Sequence, residues 1–256
     1  MKNIVITGSS KGLGFEMAKR FLAAGCNVTL SAHNTAHLEK AAAALSTYTA
    51  NIYTCPCDVS NEADIINLWN ASKAKWGNID IWINNAGVPQ ETANLWEIPH
   101  SELQTLIHTN LMGAVYGTQI AVKGMLQQGH GQVYNMEGFG SNGMRRASIN
   151  WYGTTKNAIT HFTQAMAEEL VHTPIQVGRL SPGMMVTDFI TGHGKVSAAA
   201  KNIYNILGDK PDAPARFLVD RMLHNTKNNA HLVWLTNSKI MLRFVMSVFS
   251  KRDLFK

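Results

Sequence analysis

Ile4-Val5-Ile6-Thr7-Gly8-Ser9-Ser10-Lys11-Gly12-Leu13-Gly14-Phe15 decides the fold. Three β-branched apolar residues make a short buried strand, and a glycine-rich turn follows. Phe15, Met17, Ala18, Phe21 and Leu22 then recur on one helical face. Gly8 permits a tight turn. Gly12 lets backbone amides approach a pyrophosphate, and Gly14 lets the helix pack closely on the strand. The first helical turn offers free amides and a partial positive charge to phosphate, with Ser10, Lys11 and Leu13 in the same loop. Glycine spacing alone is weak evidence. Lying between a strand and a helix, it reads as a dinucleotide site.

Outward from this stretch, strands and helices alternate about six times. Strand-like runs are Asn27 to Leu30, Ile52 to Cys55, Ile79 to Ile83, Gln132 to Asn135, Ile175 to Leu180 and His231 to Leu235. Helical patterns cover Leu38 to Leu45, Asn61 to Trp76 (with Ser60 as its cap), Ser101 to Met125 and Thr154 to Val171. Such alternation predicts an α/β fold, a doubly wound (Rossmann) parallel sheet with helices on both faces. No composition break or repeat divides residues 1–256, so one domain is expected. A basic, apolar extension occupies about 237–256. Residues 189–215, with Gly192, Gly194, Gly208, Pro211 and Pro214, read as an irregular segment over the carboxyl ends of the strands, where ligands bind.

At 256 residues and 45% hydrophobic, the chain can bury a core without staples. Its composition excludes collagen-like, low-complexity and disulfide-dense classes. Cys26, Cys55 and Cys57 are too few for a disulfide framework, which suits a reducing, cytoplasmic setting. Cys55-Pro56-Cys57 has metal-like spacing but no partner pair, and reads as small apolar residues at a strand end. Residues 1–190 carry 12 basic and 13 acidic side chains; residues 191–256 carry 11 and 4. The net +6 therefore sits in the last quarter. Such a segment is either a solvated face or a contact for an acidic partner. A nucleic-acid contact lacks interleaved aromatics and a motif, and is not expected. Ile240 to Phe249 carries Arg243 and is too short to span a bilayer. Flanked by Lys239, Lys251 and Arg252, it suits a membrane surface, a cover for a substrate mouth or a subunit contact.

Three further motifs place chemistry. The end of the second strand, Ser31-Ala32-His33-Asn34, has no acid to hold a ribose 2′-hydroxyl or repel a 2′-phosphate. With Lys11 opposite, it predicts NADPH, held also by Ser31, His33 and Asn34. Asp58 and Val59, after the third strand, would lie at the adenine, although Asp58 also reads as a helix cap. Asn84-Asn85-Ala86-Gly87 follows the fourth strand, where small residues let Ala86 and Gly87 approach the cofactor and Asn85 satisfies strand ends. Tyr152-Gly153-Thr154-Thr155-Lys156 puts a phenol and an amine on one helix face. The ammonium would favour phenolate, and the phenol can protonate a carbonyl oxygen as hydride arrives.

Motifs in this order and spacing resemble the short-chain dehydrogenase/reductase family over residues 2–190. That resemblance implies a single doubly wound domain and a tetrad of Asn, Ser, Tyr and Lys. Asn110 matches the Asn that holds a relay water. Tyr152 is the acid/base, and Lys156 its partner and ribose ligand. Ser181-Pro182-Gly183-Met184 matches the nicotinamide contact, with Thr187 on the carboxamide. The family's Ser falls at Gly138, and three readings stay open: Ser141 takes the role, Glu137 or backbone amides orient the substrate, or the site does not catalyse. The strand-five stretch Asn135-Met136-Glu137-Gly138-Phe139-Gly140-Ser141, the tail Trp234-Leu235-Thr236 and Arg243-Phe244 look like the chlorophyll b reductase branch. That branch implies reduction of a formyl group on a chlorophyll-like pigment, and the family implies a homodimer or homotetramer. Another bulky aldehyde or ketone is the alternative substrate, and a non-catalytic cofactor-binding regulator the alternative class. Met184, Met185, Phe189 and Ile190 read either as an apolar substrate wall or as lid packing. No metal is expected.

Overall fold

In the computed structural model, described for residues 1–191, 197–249 and 252–255, seven strands form one parallel sheet in the order β3-β2-β1-β4-β5-β6-β7. They are β1 Asn3–Thr7, β2 Asn27–Ser31, β3 Ile52–Thr54, β4 Ile81–Asn84, β5 Gly131–Met136, β6 Ile175–Ser181 and β7 Ala230–Val233. The helices are α1 Gly12–Ala23, α2 Thr35–Ala44, α3 Glu62–Trp76, α4 His100–Leu106, α5 Gly113–Gln128, α6 Asn150–Glu169, α7 Asp188–Thr191, α8 Ala198–Leu207, α9 Asp212–Leu223 and α10 Asn237–Phe249. The doubly wound α/β fold read from the alternation is the fold observed.

Alternation along the strands explains the two layers. Ile4 and Ile6 face one side with Val28, Leu30, Tyr134 and Leu180, and pack under α1, α2 and α9. Val5 faces the other with Trp82, Val133 and Val177, under α3, α5 and α6. Both faces are covered, so the strands read as continuous apolar runs. The strand order reverses between β1 and β4, and the loops after these two strands open at that switch point.

Three local expectations change. Asn61, not Ser60, caps α3 by accepting from the Ala63 amide at 3.0 Å. The Ser60 hydroxyl instead donates to Asp58 at 2.7 Å. The long helical pattern from Ser101 is broken by a π turn, Ile107–Met112, between α4 and α5. The segment read as irregular is largely helical, as α7, α8 and the start of α9; Gly192 and Gly194 lie outside the described residues.

The basic tail is partly used internally. Asp209, 8% exposed, accepts two bonds from Arg243 Nη2 at 2.9 and 2.8 Å, one from Arg252 at 3.3 Å and one from Trp234 Nε1 at 2.7 Å. These clamp α10 against the turn before α9. The other side of α10 exposes Met241, Leu242, Val245, Met246, Val248 and Phe249. Lys251 lies outside the described residues. Among the described residues, no helix is long and apolar enough to cross a membrane.

Candidate active site

The glycine turn builds the first wall of the site. Gly8 has φ 65°, and a Cβ there would stand 2.7 Å from the Ala86 Cα, so the β1 and β4 loops meet backbone to backbone. Thr7 Oγ1 accepts from the amides of Asn85 and Ala86 at 3.0 and 3.1 Å, and Asn85 Nδ2 donates to the Thr7 and Gly8 carbonyls at 2.9 and 3.0 Å. The strand-end amide groups are thus satisfied without closing the turn. Lys11 sits at the N-cap of α1, and no side chain caps it. The first-turn amides, near Gly12, Leu13 and Gly14, are left for an anion, so the cradle fits a pyrophosphate.

From this cradle one cleft of about 2460 Å³ runs past Asp58, Val59, Asn85, Ala86 and Gly87 to Pro182, Gly183 and Thr187. Gly8, Ser10, Lys11, Gly12, Leu13, Gly14 and His33 line its other end. Two residues expected at the cofactor do not line it. Ser31 is 1% exposed at the end of β2, where its amide donates to Ser9 Oγ. Asn34 turns away to cap α2 through the His37 amide at 2.9 Å. Asp58 reaches the cleft, but its Oδ1 accepts from the Ser60 amide and hydroxyl in a local turn. His37 and Lys40, singled out by no motif, share a smaller hollow with Ser10 and Lys11 beside α1.

Helix α6 brings Tyr152 and Lys156 to the floor of the cleft. Its start has no local side-chain cap. Gln90, from the loop after β4, accepts from the Tyr152 amide at 2.8 Å and so caps the helix across 62 residues of sequence. Gln90 carries no sequence signal for this, because the partner is distant. Lys156 is 5% exposed, and its Nζ donates to the Met136 carbonyl at 3.1 Å. Burial pulls its amine down to about 8, opposed by the charge of Glu137. Burial, with Tyr204 nearby, pushes the Tyr152 phenol well above its usual value. The expected lowering by Lys156 is absent, because that ammonium is bonded to a carbonyl and sits 5.9 Å from the ring centre. A phenol that keeps its proton is in the state a proton donor needs.

Asn110 lies in the π turn and is 1% exposed. Its amide group pairs with both backbone atoms of Val88: Oδ1 accepts from the Val88 amide at 2.7 Å, and Nδ2 donates to the Val88 carbonyl at 2.8 Å. A Cβ on Gly87 would lie 3.1 Å from Asn110 Oδ1 and 3.9 Å from Lys156 Nζ, so Asn110 and Lys156 flank one point. π turns recur at functional sites, because widening the helix redirects its backbone groups.

Ser141 also comes to the cleft, but its hydroxyl is engaged. It accepts from the Gly138 amide at 3.1 Å and donates to the Lys156 carbonyl at 3.3 Å. It pins the glycine-rich turn to α6, which differs from the carbonyl-orienting role expected for it. Gly138 occupies the spot where a serine would point at the phenol: a Cβ there would be 2.4 Å from Tyr152 Oη. Glu137 is not offered to a substrate either, since Thr160 and His231 hold its two oxygens. Cys26, Cys55 and Cys57 are free and buried, and burial pushes the Cys57 thiol up to about 12. Among the described residues, no cluster could hold a metal ion.

The chain is similar to known proteins in both sequence and fold. A family model described as short chain dehydrogenase matches residues 2–195. The chloroplastic chlorophyll(ide) b reductase NOL of Arabidopsis thaliana is 33% identical over 85% of the chain and 64% of that protein. The probable chloroplastic chlorophyll(ide) b reductase NYC1 of Oryza sativa subsp. japonica is 31% identical over 95% of the chain and 52% of that protein. The chain thus spans between half and two thirds of the length of these curated relatives. The closed form of serine dehydrogenase complexed with NADP+ superposes with a TM-score of 0.81, at 25% identity, over 92% of this chain and 95% of that one.

Proposed function

The chain belongs to the short-chain dehydrogenase/reductase family of nicotinamide-dependent oxidoreductases, and from that premise we propose that it uses NADPH to reduce the formyl group of a chlorophyll b-like pigment to hydroxymethyl. One observation carries the reading: the protonated phenol of Tyr152 and the buried amine of Lys156 lie in one continuous cleft with the phosphate cradle and an apolar mouth. The mouth is lined by Met144, Met184, Met185, Phe189, Ile190 and Tyr204, which suits a large planar substrate. The chlorophyll(ide) b reductases among the relatives support the choice of carbonyl.

The nicotinamide, when bound, supplies a hydride to the carbonyl carbon. Tyr152 Oη gives its proton to the carbonyl oxygen in the same step and becomes phenolate. Lys156 would orient the ribose, and its charge would act on the phenolate only once the amine leaves the Met136 carbonyl. Asn110, paired with Val88 beside it, organises the water from which the proton is replaced. Pro182, Gly183 and Thr187 border the nicotinamide end of the cleft. NADPH is preferred over NADH because β2 ends without an acid, and because Lys11, His37 and Lys40 collect beside Ser10, where a 2′-phosphate would be neutralised. We also read the exposed apolar side of α10 as the contact for a second copy of the chain. Co-sedimentation with vesicles in place of self-association would reassign it to a lipid surface.

Incubation with NADPH and chlorophyllide b tests the reading, followed by the shift of the pigment's absorption. A shift that depends on NADPH and is lost in Tyr152→Phe is expected. Reduction of other bulky aldehydes but not the pigment would move the substrate. Tight NADPH binding with no turnover on any carbonyl would favour a regulator, the reading that Gly138 and the engaged Ser141 hydroxyl would support.

A further inference from the structure

A charged cluster that the proposed reaction leaves unused borders the same cleft as Lys156. Glu137 follows β5 and is 6% exposed. Its Oε1 accepts from Thr160 Oγ1 at 3.0 Å and lies 3.6 Å from Arg179 Nη1, and its Oε2 bonds His231 Nε2 at 2.8 Å. Sheet register assembles the group. Asn135 and Arg179 are partners across β5 and β6, and Arg179 and His231 across β6 and β7. Glu137, two residues beyond Asn135, comes to the same face. That face carries α6, on which Tyr152, Lys156 and Thr160 fall at successive turns.

Lys156 has no carboxylate within ion-pair distance among the described residues; the group its Nζ touches is the neutral Met136 carbonyl. A buried ammonium without a counter-charge gives up its proton. Glu137 supplies that charge from one residue beyond Met136. Burial alone would raise the Glu137 carboxyl. The His231 bond and charge, the Thr160 bond and the Arg179 charge outweigh burial and keep it below its ordinary value. The other groups around Lys156 do not compete: Tyr152 keeps its proton, Tyr204 on α8 faces Tyr152, and Asn110 is neutral.

We propose that Glu137, locked in place by Thr160, His231 and Arg179, is a positioning residue that holds the Lys156 amine in its protonated form at the floor of the cleft. The inference rests on the reading of Tyr152 and Lys156 as the proton-transfer pair. Glu137 borders the cleft, but Thr160 and His231 hold both its oxygens, so it acts through Lys156.

The test is a titration of Lys156 in lysine-labelled protein without substrate, following its Cε resonance, assigned by its loss in Lys156→Arg. Glu137→Gln keeps the shape of the side chain and removes its charge. It is expected to lower the midpoint by about one pH unit, a tenfold loss of proton affinity. Glu137→Asp should recover most of it. Thr160→Val removes one anchor of Glu137 without changing any charge and should shift the midpoint in the same direction by less. That second variant carries the test if Glu137→Gln does not fold. In turnover, the alkaline limb of kcat/KM should move with each midpoint. Unchanged midpoints in folded variants would overturn the proposal, whatever the pigment assay gives. A pigment that is never reduced would sink the proposed substrate and leave the titration standing.

Discussion

Gly138→Ala probes the site with one added carbon. Gly138 does not lie in the left-handed region, so its backbone accepts an alanine. The new Cβ would stand 2.4 Å from Tyr152 Oη and 3.2 Å from both Tyr152 Cζ and Lys156 Cγ. Ordinary contact begins at 3.4 Å, so the phenol oxygen must retreat by about 1 Å. A displacement of that size at the reacting atom costs on the order of 10²-fold in rate, or about 2.7 kcal/mol of barrier. Folding suffers less, because the group that gives way is the far end of one side chain; overpacking of this kind costs about 1–3 kcal/mol. NADPH binding, set at the glycine turn, should be unchanged. Steady-state NADPH consumption, NADPH fluorescence titration and a thermal melt separate the three quantities. Gly138→Ser should fail in the same way, although it restores a hydroxyl. A folded Gly138→Ala protein with the full rate would refute the placement of proton donation at Tyr152 Oη.

Tyr152→Phe should abolish reduction and leave NADPH affinity within about twofold; persistent turnover would remove the phenol from the chemistry. His33→Asp puts a carboxylate at the end of β2 and should cut the preference for NADPH over NADH at least about tenfold, measured as a ratio of kcat/KM values. Ser141→Ala should cost about 1–3 kcal/mol in stability, since the Gly138 amide and Lys156 carbonyl lose a partner. A tenfold slower turnover at unchanged stability would instead put that hydroxyl on the substrate. Lys156 binds its proton less tightly folded, near 8, than unfolded, near 10.5. The unfolded chain then holds more protons between these values, so stability should rise with pH there, by on the order of 3 kcal/mol. The melting temperature of the wild type should climb relative to Lys156→Met across this window, and parallel curves would contradict the desolvation of the amine.

The fold was legible in the sequence because periodicity and glycine placement are local. Ile4-Val5-Ile6, the glycine turn and the face running from Phe15 to Leu22 carry their geometry in neighbouring residues. So do the spacing of Tyr152 and Lys156 and the break at Asn85-Ala86-Gly87. What escaped reading depends on contacts far along the chain. Gln90 caps a helix 62 residues away. Glu137 gathers Arg179 and His231 only because three strands lie in register. Ser31 and Asn34 are polar residues at a strand end and suggested ligand contacts; burial of one and capping by the other are decided by how α2 sits. The π turn was invisible for a different reason. Ile107 to Met112 spans only six residues, too few for a change of period to stand out from the apolar residues on either side.

That π turn has a consequence for the length of the chain itself. Downstream, α5 presents Gly117 to the sheet and Gly124 to α3 so tightly that a Cβ would overlap Asn84 and the Trp69 ring. A chain shorter by one residue between Ile107 and Met112 could wind as plain α-helix, but all of α5 would then swing by roughly 100° about its axis. Bulkier side chains would be driven into Trp69 and Asn84 in place of the glycines. The protein is thus intolerant of a single deletion in this stretch, since the surplus residue is what keeps the helix keyed to its neighbours.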